Sequence, residues 1–361
     1  MSAWNPAGSG QRRGRVGLVL AVIAACVALD LFLPALVPDS SVRQLLMLAA
    51  CNVLVALSLN VINGMAGQFS IGHAGFLGIG GYTSAVLASH LHVALGGGEP
   101  TFARSLIVVP ICLLASAILA GICGLVVGLP SLRLRGDYLA IVTLGFAEIF
   151  RLVIATASAS EGVVARLGGQ NGYQGVGNSG VPLYAGPFWV VGLALLLGVV
   201  AWRIKFSGWG RALRALREDE IAAASVGVDP TRYKVTSFVI AAVGAGIAGG
   251  LMAIMRDGTP VVNPDSYNFQ VSFDAITMVI LGGSGSVTGS ALGGVFITFS
   301  IKALELVQAL PVVQALKERA EWLDLNALRM ILYALVLVGL MILRPEGLLG
   351  ERELLGKRAK R

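Results

Sequence analysis

Apolar runs of about membrane length recur along nearly the whole chain, with few long polar stretches between them. That pattern narrows the fold more than any motif does. In hydrocarbon every backbone N–H and C=O must find its partner inside the protein, which leaves helices and closed barrels. The runs are continuous rather than alternating, so they read as helices. Only 13% of the 361 residues are charged, roughly half the share of a soluble domain. A very apolar soluble enzyme would carry one long uncharged run at most, and this chain has many. The expected fold is an all-α polytopic membrane protein.

About ten spans are expected, near 16–37, 43–62, 74–93, 105–129, 138–157, 187–204, 233–255, 270–282, 289–310 and 326–343. The eighth is short against the ~20 residues a span needs, so it reads as broken or partly inserted. Residues 1–15 read as a tail, 16–343 as the transmembrane domain and 344–361 as a second, basic tail. The run from Val16 to Val37 is too long for a signal-peptide core, contains Asp30 and lacks a small-x-small cleavage site. An even number of spans puts both termini on one side. Placing them in the cytoplasm leaves eighteen Lys and Arg in cytoplasmic segments against six outside, the bias that orientation requires. The net charge of +7 therefore reads as membrane orientation, with lipid as the outer solvent and no nucleic-acid partner.

Cys26, Cys51, Cys112 and Cys123 all fall inside apolar runs with no C-x-x-C spacing. They read as small core residues, not as disulfides or metal ligands.

Residues 64–81, GMAGQFSIGHAGFLGIGG, carry seven glycines. Gly67 and Gly72 have P-loop spacing, but His73 and Ala74 stand where Lys and Ser/Thr must hold phosphate and Mg²⁺. GGSGSVTG at 282–289 misses the G-x-G-x-x-G spacing, and no G-K-[ST] occurs anywhere. The chain is expected to bind no ATP itself. In a membrane, Gly72, Gly75 and Gly78 form a face that lets helices approach closely. Gly64 and Gly67, with Gln68 and Ser70, fall in the preceding cytoplasmic turn. Gln68, Ser70 and His73 are candidates for a gate lining. His90 and His92 belong at the far end of the same helix, so no metal site is expected.

Glu148 and Arg151 sit at i, i+3, about 15 Å into the fifth span at 1.5 Å per residue. Charge at that depth marks either a pathway or a buried structural pair, and both readings stand. Asp274 on the short eighth span is a weaker pathway candidate. Lys302 and Glu305 read as a structural pair, and Asp30 as a helix-end residue of little consequence.

Residues 208–232, GWGRALRALREDEIAAASVGVDPTR, are not a span. Arg211, Arg214 and Arg217 recur every third residue with Leu213 and Leu216 between them. Ala222–Ala224 favour helix, Gly227 suits a C-terminal stop, and Pro230 follows it. One short cytoplasmic helix is expected over about 210–228. A helix lying on anionic lipid would explain the arginines but not Glu218, Asp219 and Glu220, which such lipid repels. Mixed charge on an alanine-rich helix suits docking to a cytoplasmic protein.

This segment resembles the coupling helix of ABC-transporter permeases, with Ile221 separating Glu220 from the alanines of the Glu–Ala–Ala pattern. Five segments occur in the order found in LivM-type permeases of branched-chain amino-acid ABC importers: GMAGQFSIGHAGFLGIGGYTSA, LPSLRLRGDYLAIVTLGFAEIFRLV, LGGQNGYQGV, ALRALREDEIAAASVGVD and ILGGSGSVTGSALGGV. The resemblance runs from about residue 43 to 349. It implies a permease fold of the type II ABC-importer kind in a bacterial cytoplasmic membrane. It also implies a second homologous permease, two cytoplasmic ATPase subunits that bind ATP and Mg, and an extracytoplasmic binding protein docking on outside loops that include 158–186. Contact with the ATPases would fall on Arg214, Arg217, Glu218, Glu220, Ala223 and Gly227. No nucleophile–base–orienter set occurs, so the chain is expected to be a transport subunit and not an enzyme. Urea and short amides are alternative substrates. An autonomous secondary transporter or channel, with Glu148, Arg151 and Asp274 carrying coupling ions, is the reading from another class.

Overall fold

A computed structural model describes residues 8–131, 138–156 and 167–308, together with 335, 338, 339, 342, 343, 347–350 and 352–354. Most of the expected tenth span at 326–343, most of the basic tail, and residues 132–137 and 157–166 lie outside the described residues. Eleven α-helices are described: α1 (Gly8–Leu36), α2 (Ser40–Leu59), α3 (His73–Ala94), α4 (Phe102–Ser131), α5 (Tyr138–Ala155), α6 (Pro187–Phe206), α7 (Gly208–Glu218), α8 (Glu220–Ser225), α9 (Pro230–Ala253), α10 (Phe269–Gly282) and α11 (Val287–Gln308). The first nine expected spans correspond to α1–α6 and α9–α11. α1 starts at Gly8, inside the stretch expected to be a tail.

Among the described residues five helical segments are long and apolar enough to cross a membrane: Ser40–Met65, Phe102–Ser131, Tyr138–Ala155, Pro187–Phe206 and Pro230–Ala253. The helices start where their capping residues stand. Asp39 accepts Ser41 N–H ahead of α2, and Asp229 accepts Arg232 N–H ahead of α9, whose first residue is Pro230.

α3 is the central helix, and every residue from His73 to Tyr82 is buried. Its glycines serve two neighbours. A methyl at Gly80 would overlap the Gly246 carbonyl of α9, while Gly72, Gly75 and Gly78 lie against Thr143, Ala147 and Phe150 of α5. The close-packing face expected on the third span is therefore present. Leu54, Leu59, Leu77, Phe238, Leu251 and Ile254 fill the core around it. Cys26, Cys51 and Cys112 are buried and Cys123 half-buried, all with free thiols.

On one side of the bundle, residues 173–185 are zipped onto 254–262. Tyr173 and Val262 exchange backbone bonds of 2.9 and 3.1 Å, and Ala185 N–H donates to Ile254 O at 2.8 Å. Arg256 and Asp257 staple this layer to the first two helices. Arg256 pairs with Asp30 at 3.2 Å and Asp257 with Arg43 at 2.9 Å. Asp30 is 5% exposed and paired, which corrects its reading as an inconsequential helix-end residue. Its partner lies 226 positions away, beyond the reach of local pattern.

The short eighth span is α10. Its 14 residues rise about 21 Å, against a hydrocarbon core of about 30 Å. Asn268 caps it through Gln270 and Val271 N–H.

Candidate functional site

The segment between α6 and α9 forms two helices, where one was expected. Ser207 caps α7 by accepting Gly210 N–H. Asp219 then turns extended, with φ −153° and ψ 111°, and its carboxylate accepts Ile221 and Ala222 N–H at 2.9 and 3.0 Å. An Asp competes with helix continuation by satisfying the next helix's first donors, which is why the charge run breaks there. Gly227 has φ +90°, the left-handed stop its position suggested.

Leu213 and Leu216 of α7 are buried against the bundle, Leu213 among Leu57, Met65, Ala201 and Val287. Arg214 and Arg217 turn inward too. Arg214 reaches Lys205 O at 3.4 Å, and Arg217 donates to Gly64 O at 2.8 Å. Glu218 to Gly227 are exposed except for the buried Ala223. Glu220 pairs with Lys234 at 2.6 Å, leaving Ile221 (83% exposed) and Val226 (79%) as apolar side chains at the tip. The six residues named for ATPase contact thus divide into an inward pair, a buried alanine and an outward group.

Arg217 lands on the glycine-rich stretch. Asn60–Met65 is one wide π turn, followed by irregular backbone to Gly72. Gly67 has φ +67° and lies under the Arg217 side chain, where a Cβ would come within 2.6 Å of Cγ. Asn60 ties the same turn to the α10–α11 connection: its Oδ1 accepts Gly285 N–H at 2.9 Å and its Nδ2 donates to Ser286 O at 3.1 Å. Gly64, Met65, Lys205, Gly210, Arg214, Arg217 and Gly285 line a small cationic pocket here.

Gln68, Ser70 and His73 are all buried. Ser70 is held by Asn63, its N–H donating to Asn63 Oδ1 at 3.3 Å. His73 Nε2 meets Ser58 Oγ at 2.9 Å. The Gln68 amide has no partner for either polar atom among the described residues.

A second cluster lies where α5 meets the start of α10. Glu148 and Arg151 pair at 2.9 Å, as their spacing on α5 suggested. Arg151 also reaches Asp265 at 3.1 Å, and Glu148 Oε1 accepts Phe269 N–H, the first of α10, at 3.1 Å. An acceptor carboxylate at a helix N-terminus is favoured by the backbone dipole. Glu148 and Arg151 are about a quarter exposed and Asp265 79% exposed. Asp274 is half-buried on the same helix. Sequence reading missed Asp265. Its signal was the polar NPDS run at 263–266, just before the short span. Lys302 and Glu305 pair at 2.9 Å. Among the described residues no group of three or more His, Cys, Asp or Glu could hold a metal.

Comparison with known proteins matches residues 41–343 to the family described as the branched-chain amino acid transport system permease component. The chain is 34% identical over 320 residues to the high-affinity branched-chain amino acid transport system permease protein LivM of Salmonella typhimurium, covering 82% of this chain and 67% of that one. It is 28% identical over 333 residues to a probable LivM permease of Methanocaldococcus jannaschii, covering 84% and 91%. Over 165 residues it is 30% identical to the Escherichia coli permease protein LivH, covering 46% and 47%. No solved structure is matched. An all-helical bundle with membrane-length apolar helices, the ordered motifs and these matches agree: the chain belongs to the branched-chain amino acid transport permease family.

Proposed function

We propose that the chain is the membrane-spanning permease subunit of an ATP-binding-cassette importer for branched-chain amino acids, with ATP hydrolysed by partner subunits. One observation carries this reading: α7–α8 presents an exposed tip and is fastened by Arg217 to the glycine-rich turn that opens the central helix. An autonomous carrier has no use for such a protrusion. Relatives named LivM and LivH support pairing with a second homologous permease. Two cytoplasmic ATPases and an extracytoplasmic binding protein complete the assembly, the latter docking on the zipped layer that includes 167–186. Both termini, α7–α8 and the 60–72 turn face the cytoplasm in this arrangement.

Closure of the ATPases would push on Glu218, Glu220 and the tip of α8. α7 moves with it, and Arg217 carries the displacement to the turn between α2 and α3. Asn60 carries it on to α10 and α11. The outcome is a switch between two packings of rigid helices. The face where α5 meets α10 suits a pathway lining. Glu148, Arg151 and Asp265 are partly exposed beside irregular backbone at membrane depth, which hydrocarbon does not tolerate. Both signs of charge suit a zwitterion, and half-exposed Phe269 and Phe273 suit an aliphatic side chain. Ser70 and His73 hold the shape of the turn at the gate through Asn63 and Ser58, with the buried Gln68 amide beside them.

The test is uptake into liposomes holding this chain with its partner permease, ATPases and binding protein. Leucine and valine should enter only with ATP, and urea and acetamide should not. Uptake by this chain without the ATPases would contradict the proposal. ATP-driven entry of urea in place of leucine would move the substrate to the amides.

A further inference from the structure

Residues 347–350 and 352–354, within the stretch expected to be a basic tail, lie against the end of the bundle where α10 stops and α11 starts. Leu348 N–H donates to Leu281 O at 2.7 Å and Leu349 N–H to Gly282 O at 3.2 Å, satisfying the last carbonyls of α10. Ser286 Oγ donates to Arg352 O at 2.8 Å. Glu353 then enters the core of this contact. Its carboxylate accepts Val287 and Thr288 N–H at 2.8 and 2.9 Å, capping α11 from 65 positions away, and also takes the Thr288 hydroxyl. Its other partners are Ser286 Oγ at 3.3 Å and Lys205 Nζ at 2.6 Å, the latter in the last turn of α6. The Glu353 and Lys205 side chains are 3% and 7% exposed. Burial alone would raise the Glu353 pKa, but the donors from Lys205, Thr288 and Val287 outweigh it and hold the carboxyl below the usual carboxylate range.

The partners of Glu353 join two elements, α6 and the start of α11. Lys205 is continuous with the coupling helices: Gly210 packs on the Ile204 and Lys205 carbonyls, and Arg214 bonds Lys205 O. Val287 and Thr288 start α11, and the strap's own backbone holds the end of α10. The far end of α10 is the one Glu148 caps. α10 is therefore a short rod with a charged clamp at the pathway end and the strap at the coupling end.

We propose that Glu353 is a positioning residue of the transport cycle, through which the 347–354 strap yokes α6 and the coupling helices to α10 and α11. The proposal rests on the importer reading above. A push on α7–α8 then displaces α10 as a body, where without the yoke it would be absorbed by the 283–286 turn.

The experiment uses the complete importer in liposomes and reads leucine taken up per ATP hydrolysed. Misfolding lowers both quantities together, whereas uncoupling lowers the ratio. Glu353→Gln keeps the shape and loses the charge, and the ratio should fall about tenfold while the complex elutes intact. An unchanged ratio overturns the proposal. If Glu353→Gln does not assemble, Thr288→Val decides. It removes one hydroxyl donor to the carboxylate and should lower the ratio two- to threefold, and no change there also overturns the proposal. If the unaltered complex hydrolyses ATP without any uptake, the importer reading itself fails and the yoke falls with it.

Discussion

Arg217→Ala should cut ATP-driven uptake by at least tenfold, with the complex still assembled and ATP still hydrolysed. The reason is geometric. Arg217 is a direct polar bond from α7 to the glycine-rich turn, donating to Gly64 O at 2.8 Å. A hydrogen bond from a charged group contributes about 1.5–3 kcal/mol, and about 1.4 kcal/mol is a factor of ten in the equilibrium it biases. Arg211→Ala is the control. Arg211 is exposed on the same helix and, among the described residues, bonds only Phe206 O, at 3.4 Å, so its loss should change uptake little. Arg217→Lys should recover part of the activity, since the charge survives and the planar fork does not. Equal uptake by Arg217→Ala and the unaltered chain would remove α7 from the coupling path.

Substitutions at Glu148 should have the next largest effect, and their ranking is informative. Glu148→Ala leaves Arg151 with Asp265 and strips the first N–H of α10 of its acceptor. Breaking a buried pair costs about 3–5 kcal/mol, and with about a quarter of each side chain exposed the lower end of that range applies. Glu148→Gln keeps an acceptor for Phe269 N–H and should lose less. Simple pairing on α5 would let the double reversal Glu148→Arg with Arg151→Glu rescue transport. The structure predicts that it does not, because a cation at the α10 N-terminus opposes the helix dipole and accepts no hydrogen bond. Uptake and the thermal midpoint of the purified complex check this. Full rescue by the reversal would reduce the cluster to a local ion pair.

The sequence was legible where the signal is local. Apolar run length located α2 to α6 and α9 to α11, because a helix in hydrocarbon must be continuous and apolar. The Gly72, Gly75, Gly78 face was readable because small residues at helical spacing have one main use between packed helices. The i, i+3 pair at Glu148 and Arg151 needed only helix geometry. What local pattern could not supply were partners far along the chain. Asp30 with Arg256, Arg217 with Gly64 and Lys205 with Glu353 are brought together only by the tertiary fold. The break at Asp219 was hidden for another reason. Within a run of acidic residues, a helix-capping Asp looks the same as one on a solvated face. Glu353 was masked by its surroundings, a short segment whose basic residues read as a tail.

Motion imposed on α7–α8 should reach the end of α10 that Glu148 caps. In a complete importer in which the four cysteines of this chain are replaced by alanine, Asp265→Cys is exposed to a membrane-impermeant thiol reagent, with and without a non-hydrolysable ATP analogue. The thiol at 265 should react from water, Ile118→Cys on the apolar outer face of α4 should not, and the analogue should change the Asp265→Cys rate at least fivefold. A thiol at 265 that never reacts, or reacts at one rate in both states, would contradict this coupling.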